Sequence, residues 1–156
     1  MKYSGDPMMR VVDTNVFIHY LLDGDRAGEA EKLLASYPDL AVTAGIIDEV
    51  EFVIIRQLAK RRLGIRSLKK LKEYIRSEGL DFALDALEKY TNMLLEFEIT
   101  ILRDYVEPQE LLETMKKHKL TPSDAIIALT CRHYGINTIL TFDEDFKRVP
   151  WLKVLP

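Results

Sequence analysis

Apolar positions recur along the chain in two rhythms, short unbroken runs and longer stretches spaced by three or four residues. Met9–Asp13 (MRVVD) is a short apolar run ending in an acid, the pattern of a buried strand. Val16–Leu22 follows as a helix that Thr14 or Asn15 would cap. Ala27, Ala30, Leu33 and Leu34 recur at helical spacing within Arg26–Ser36, Tyr37-Pro38-Asp39 breaks that run, and Leu40–Thr43 is a second strand. A long helix is predicted from Ala44 to Leu63, stopped by Gly64, with two further helices at Ser67–Ser77 and Asp81–Leu94. Glu98–Leu102 (EITIL) is a third strand and Glu107–Lys117 a helix. Thr121-Pro122-Ser123-Asp124 opens another helix, to Tyr134, with proline at the favoured first position and Gly135 at its end. Asn137–Thr141 is a fourth strand and Trp151–Leu155 a fifth, at an edge.

Short strands alternating with helices imply crossover connections and a parallel sheet covered on both faces. The predicted fold is therefore α/β, a three-layer α/β/α sandwich around a mainly parallel sheet of four to five strands. The 156 residues suit one domain, taken as 9–156 after an N-terminal extension at 1–8. With 47% apolar residues, 7 Gly and 6 Pro, the chain is neither disordered nor of low complexity. No apolar run approaches membrane-spanning length, and Met1–Arg10 lacks the apolar core of a signal peptide. Cys131 is the sole cysteine, which excludes an intrachain disulfide and a multi-cysteine zinc site, and the expected setting is cytoplasmic.

A formal charge of −3 argues at first against a nucleic-acid partner. The charge is unevenly placed, however. Residues 56–76 hold nine bases and one acid, +8, which leaves the remainder of the chain at −11. Lys60, Arg61, Arg62, Lys69 and Lys70 within that segment are candidate RNA-binding residues, although a run of charge more often marks a solvated helix face.

Among the acids, Asp13 directly follows one apolar strand and Asp143 lies two residues past another, where ligands bind in open parallel sheets. Each also fits an ordinary capping or loop acid. Asp124 lies in the first turn of its helix, where Thr121 with an acid three residues on matches a capping box. Glu49 falls between Phe52 and Val53 on its helix, and an ion pair with Arg56 or Lys60 would satisfy it equally. Four such acids in a chain poor in cysteine and histidine suit a hard cation, Mg²⁺ or Mn²⁺, and metal-assisted phosphoryl chemistry. His19, His118 and His133 are expected to serve no catalytic role.

The run Val11–Phe17 (VVDTNVF) resembles the opening of a PIN-domain nuclease. Thr43 to Val50, with Glu49 six residues after Thr43, resembles the family's second motif. Ser123-Asp124-Ala-Ile-Ile-Ala-Leu is similar to its third, and Leu140-Thr141-Phe142-Asp143-Glu144-Asp145-Phe146 to its fourth. The four occur in order across Met9 to about Leu155. The resemblance, strongest to VapC-type toxins of toxin–antitoxin modules, implies a Mg²⁺- or Mn²⁺-dependent ribonuclease that hydrolyses RNA by metal-activated water, leaving a 5′-phosphate and a 3′-hydroxyl. It implies that Asp13, Glu49, Asp124 and Asp143 hold the metal, that Asn15 and Thr141 support them by hydrogen bonds, and that Asp145 is an auxiliary acid. It further implies a small antitoxin partner and a homodimer or higher homo-oligomer.

Two other classes compete. A non-catalytic PIN-like module would bind RNA or protein without cutting, but the complete acid set speaks against it. A haloacid-dehalogenase-like phosphatase would need Asp-x-Asp after the first strand, where Asp13-Thr14-Asn15 stands instead.

Overall fold

Five short strands and seven α-helices make up the fold in a computed structural model that describes residues 9–156. The expected extension at 1–8 lies outside the described residues. In chain order the elements begin with β1 (Arg10–Val12), α1 (Thr14–Leu21), α2 (Ala27–Ser36), β2 (Leu40–Thr43) and α3 (Ala44–Leu58). They continue with α4 (Leu68–Glu78), α5 (Leu84–Glu96), β3 (Thr100–Leu102), α6 (Pro108–His118), α7 (Pro122–His133), β4 (Thr138–Leu140) and β5 (Lys153–Leu155).

The sheet is entirely parallel, in the order β3-β2-β1-β4-β5. By the right-handed rule for crossovers, the connections from β1 through β2 to β3 put α1, α2, α3 and α5, which pack on one another, on one face. The return from β3 to β4 runs the opposite way and so puts α6 and α7 on the other face. The direction of winding therefore reverses between β1 and β4, whose carboxyl ends flank a crevice. Register fixes what lies there, because Val12 pairs with Leu140 and the Asp13 N–H donates to the Leu140 carbonyl at 2.9 Å. Asp13 and Thr141 are thereby neighbours although 128 positions apart in sequence.

The central strands are apolar on both faces, as parallel strands under two helical layers must be. Val11, Val12, Ile139 and Leu140 are fully buried. On the α1 side, Phe17 meets Tyr90 of α5 edge-on with ring centroids 5.1 Å apart, and α2 and α3 also pack against α1. Cys131 of α7 is buried and unpaired. No helix among the described residues is long and apolar enough to cross a membrane.

Several local expectations shift for identifiable reasons. Helix α1 begins at Thr14 because Asp13, not Thr14 or Asn15, is its cap, its Oδ1 accepting from the Thr14 N–H at 2.8 Å. The helix expected to run to Leu63 is α-helical only to Leu58, and its last turn, Ala59–Leu63, widens to π geometry before Gly64 at φ 69°. The Gly64 and Ile65 N–H groups then close on the Lys60 and Ala59 carbonyls, the double bond that ends many helices at a left-handed glycine. Asp81–Ala83 is a 3₁₀ turn rather than the start of an α-helix, and α5 extends to Glu96.

Candidate active site

Asp13 reaches the crevice because β1 stops at Val12 and the next residue must cap α1. Its Oδ2 accepts from the Thr141 hydroxyl at 2.7 Å and lies 3.5 Å from Asn15 Nδ2. That single Thr141 hydrogen is committed to Asp13, and the hydroxyl oxygen accepts from the Asp143 N–H at 3.0 Å and from Asn15 Nδ2 at 3.1 Å. A hydroxyl has one donor and two acceptor positions, so Thr141 is fully used. Asn15 is oriented by the same network. Its Oδ1 accepts from the Phe142 N–H at 3.0 Å, which turns Nδ2 toward Thr141 and Asp13.

Asp143 caps the 3₁₀ turn Glu144–Arg148, its Oδ1 accepting from the Asp145 N–H at 2.8 Å. The turn aims Asp145 back at Asp124, and Asp124, Asp143 and Asp145 each offer a carboxylate oxygen within 4.8 Å of the others. Arg148 steadies Asp145 with a 2.9 Å ion pair, while the same guanidinium donates to the His118 and Lys119 carbonyls that end α6. Glu49, on the second turn of α3, accepts from the Ser123 hydroxyl at 3.3 Å. No cation stands within ion-pair distance of it among the described residues, so neither Arg56 nor Lys60 satisfies it. Thr121 makes no capping bond to α7, so the expected capping box does not form.

Asp13, Glu49, Asp124 and Asp143 line one cleft of about 270 Å³, together with Asn15, His19 and Val53. Burial pushes the Asp13 carboxyl up to about 6; its bonds from Thr141 and Thr14 oppose the rise, and the charges of Asp124 and Glu49 add to it. Burial likewise raises Asp124 to about 6, reinforced by Asp143, Glu49 and Asp145. Asp13 is thus buried and Asp124 half-buried among other carboxylates, and neither forms an ion pair among the described residues. Carboxylate oxygens crowded in this way suit a hard divalent cation, which would supply the missing countercharge.

Three site neighbours escape periodicity. Ser123 orients Glu49, and Arg148 orients Asp145, three residues before it. His19, read from the sequence as non-catalytic, forms part of the cleft wall with its Nδ1 accepting the Arg26 N–H at 3.2 Å. The basic segment is partly engaged within the chain. Arg62 pairs with Asp85 at 2.9 Å and donates to the Phe82 carbonyl at 2.7 Å, and Arg61 donates to the Leu22 carbonyl and Gln57. Lys60, Lys69 and Lys70 are exposed and form no ion pair among the described residues.

Residues 10–152 match the family model of the PIN domain. Ribonuclease VapC2 of Methanocaldococcus jannaschii is 32% identical over 147 residues, covering 92% of this chain and 90% of the relative. Among solved structures, the sarcin–ricin loop cleaving toxin VapC20 of Mycobacterium tuberculosis superimposes with a TM-score of 0.62 at 21% identity, covering 95% of this chain and 99% of that one. A toxin–antitoxin complex from Klebsiella pneumoniae matches with a TM-score of 0.52 at 22% identity, covering 94% and 96% of the two chains. At these identities the structural matches speak to the fold.

Proposed function

The chain belongs to the PIN-domain family, and from that premise we propose that it is a VapC-type, divalent-metal-dependent ribonuclease acting on RNA phosphodiester bonds. The observation that carries the reading is the convergence of Asp13, Glu49, Asp124 and Asp143 on one cleft at the reversal of strand order. Asp124, Asp143 and Asp145 would hold Mg²⁺ or Mn²⁺, with Asp13 and Glu49 completing the acidic lining. When bound, the ion supplies a Lewis acid that lowers the pKa of water and offsets phosphate charge. The chain's own groups do the positioning. Thr141 and Asn15 fix the Asp13 carboxylate, and Ser123 fixes Glu49 through Oε2. Glu49 Oε1, which accepts no bond from the described residues, would be available to take a proton from the attacking water.

Incubation of purified protein with end-labelled single-stranded RNA and Mn²⁺ tests this. Fragments bearing 5′-phosphate and 3′-hydroxyl ends are expected. Cyclic phosphate ends would contradict the mechanism, and RNA binding without any cleavage would favour a non-catalytic module.

A small antitoxin is the proposed protein partner, supported by the fold shared with the toxin–antitoxin complex from K. pneumoniae. The proposed assembly is a homodimer or higher homo-oligomer. Light scattering on the purified chain, alone and with the product of a small adjacent gene, reads both.

A further inference from the structure

We propose that the Arg26 guanidinium is a stacking platform for a nucleobase of the RNA strand that occupies the acidic cleft, an inference that rests on the ribonuclease reading above. Arg26 ends the turn between α1 and α2, and that turn is locked to α1. The Gly24 N–H donates to the His19 carbonyl at 2.9 Å, and a Cβ at Gly24 would collide with His19 Nδ1. The turn thus packs directly on the histidine that forms part of the cleft wall. From there the Arg26 guanidinium lies over the Phe142 ring, 3.9 Å from its centroid, and the His19 ring meets Phe142 edge-on at 5.4 Å. Phe142 immediately precedes Asp143. A second depression containing both Arg26 and Phe142 shares Asp143 with the acidic cleft, so the platform adjoins the carboxylates.

The chemistry favours a base over a phosphate. Arg26 Nε and Nη2 both donate to Glu29 Oε2, at 3.2 and 2.6 Å, which offsets the charge and fixes the plane of the group. Its side chain is still 39% exposed. A planar cation held rigid, partly neutralised and open to solvent presents a π face rather than a strong phosphate grip. Guanidinium planes are common stacking partners for unpaired RNA bases. Such a platform beside the carboxylates would hold a nucleotide flanking the bond to be cut, without demanding a particular base.

The test uses Asp13→Asn as a cleavage-impaired background and a short single-stranded oligoribonucleotide in the presence of Mn²⁺. A series of the same oligonucleotide lacking one base at each position in turn completes the set. Adding Arg26→Ala is expected to weaken binding about tenfold, within the range for loss of one stacked base. Arg26→Lys, which keeps the charge and loses the plane, should not restore it. One abasic position should abolish the difference between proteins with and without the Arg26→Ala substitution. Full rescue by lysine, or an equal response at every abasic position, would overturn the platform in favour of a simple charge contact. Should Arg26→Ala fail to fold, the lysine variant and the abasic series decide alone. Wild-type protein that cuts RNA with Mn²⁺ while Arg26→Lys binds normally would sink this inference only. Absence of both cutting and RNA binding would sink the ribonuclease reading with it.

Discussion

Replacing Asp13 by asparagine should make the metal-free protein more stable at neutral pH and less stable in acid. Asp13 is only 6% exposed, and its carboxyl is raised from 3.8 to about 6, chiefly by burial. A raised folded-state pKa means that the folded chain binds the proton more tightly than the unfolded chain. Asp13 therefore adds stability below pH 3.8 that is lost as the pH rises through 6. A rise of about two units corresponds to roughly 3 kcal/mol, an upper value for the strain of holding the bare carboxylate at pH 7.5. Asparagine removes that strain but presents an amide where Oδ2 accepts from Thr141, which costs about 1 kcal/mol. The expected net gain at pH 7.5 in EDTA is up to about 2 kcal/mol, or about 4–8 °C in melting temperature for a domain of this size. At pH 4 the sign reverses, and the Asp13→Asn protein should be the weaker by about 0.5 kcal/mol. Saturating Mn²⁺ should stabilise the wild type by roughly 2.7 kcal/mol at a hundredfold excess over Kd. Thermal and urea unfolding across pH 4–8, with and without Mn²⁺, reads all three. An Asp13→Asn variant that is less stable by the same amount at every pH would refute the claim that Asp13 is held as an uncompensated charge.

Thr141→Val should cost roughly 1–3 kcal/mol, because it strands the Asp143 N–H and one oxygen of Asp13, whereas Thr141→Ser should nearly preserve stability. Chemical denaturation of the two variants distinguishes a hydrogen-bond role from one of packing. Replacing Lys60, Arg61 and Arg62 together should weaken RNA binding and flatten its dependence on salt by up to about two in logarithmic slope. A smaller change, near one, is expected if the internal partners of Arg61 and Arg62 persist in the complex, leaving Lys60 alone of the three to meet phosphate. Binding isotherms at several salt concentrations give that slope directly.

The fold is largely legible in the sequence because its signals are local. Runs such as Val11-Val12 and Ile139-Leu140 mark central strands without reference to anything distant, and Gly64, Gly79 and Gly135 end helices by adopting positive φ. Strand order is not local, and nothing in the periodicity places β1 beside β4. The motif resemblance bridges that gap by grouping Asp13, Glu49, Asp124 and Asp143 without any distance. Helix starts are misread where a side chain, not a pattern, decides them. Asp13 is at once the residue after β1, a helix cap and part of the site, and only its bond to the Thr14 N–H shows that α1 begins there. The basic segment is the least readable part, since Arg62 finds Asp85 across 23 positions of sequence and Arg61 finds the Leu22 carbonyl across 39. Composition can count charges but not the partners that occupy them. Arg26 is hidden for the converse reason, as a lone cation whose meaning comes from Phe142, far along the chain.

The most direct test of the account sets two titrations of one preparation side by side, Mn²⁺ binding and the single-turnover rate of RNA cleavage. The two curves should superimpose, and both should collapse in Asp124→Asn protein and in EDTA. Cleavage that persists unchanged in EDTA, or at the wild-type rate in Asp124→Asn, would contradict the assignment of the acidic cleft as the catalytic centre.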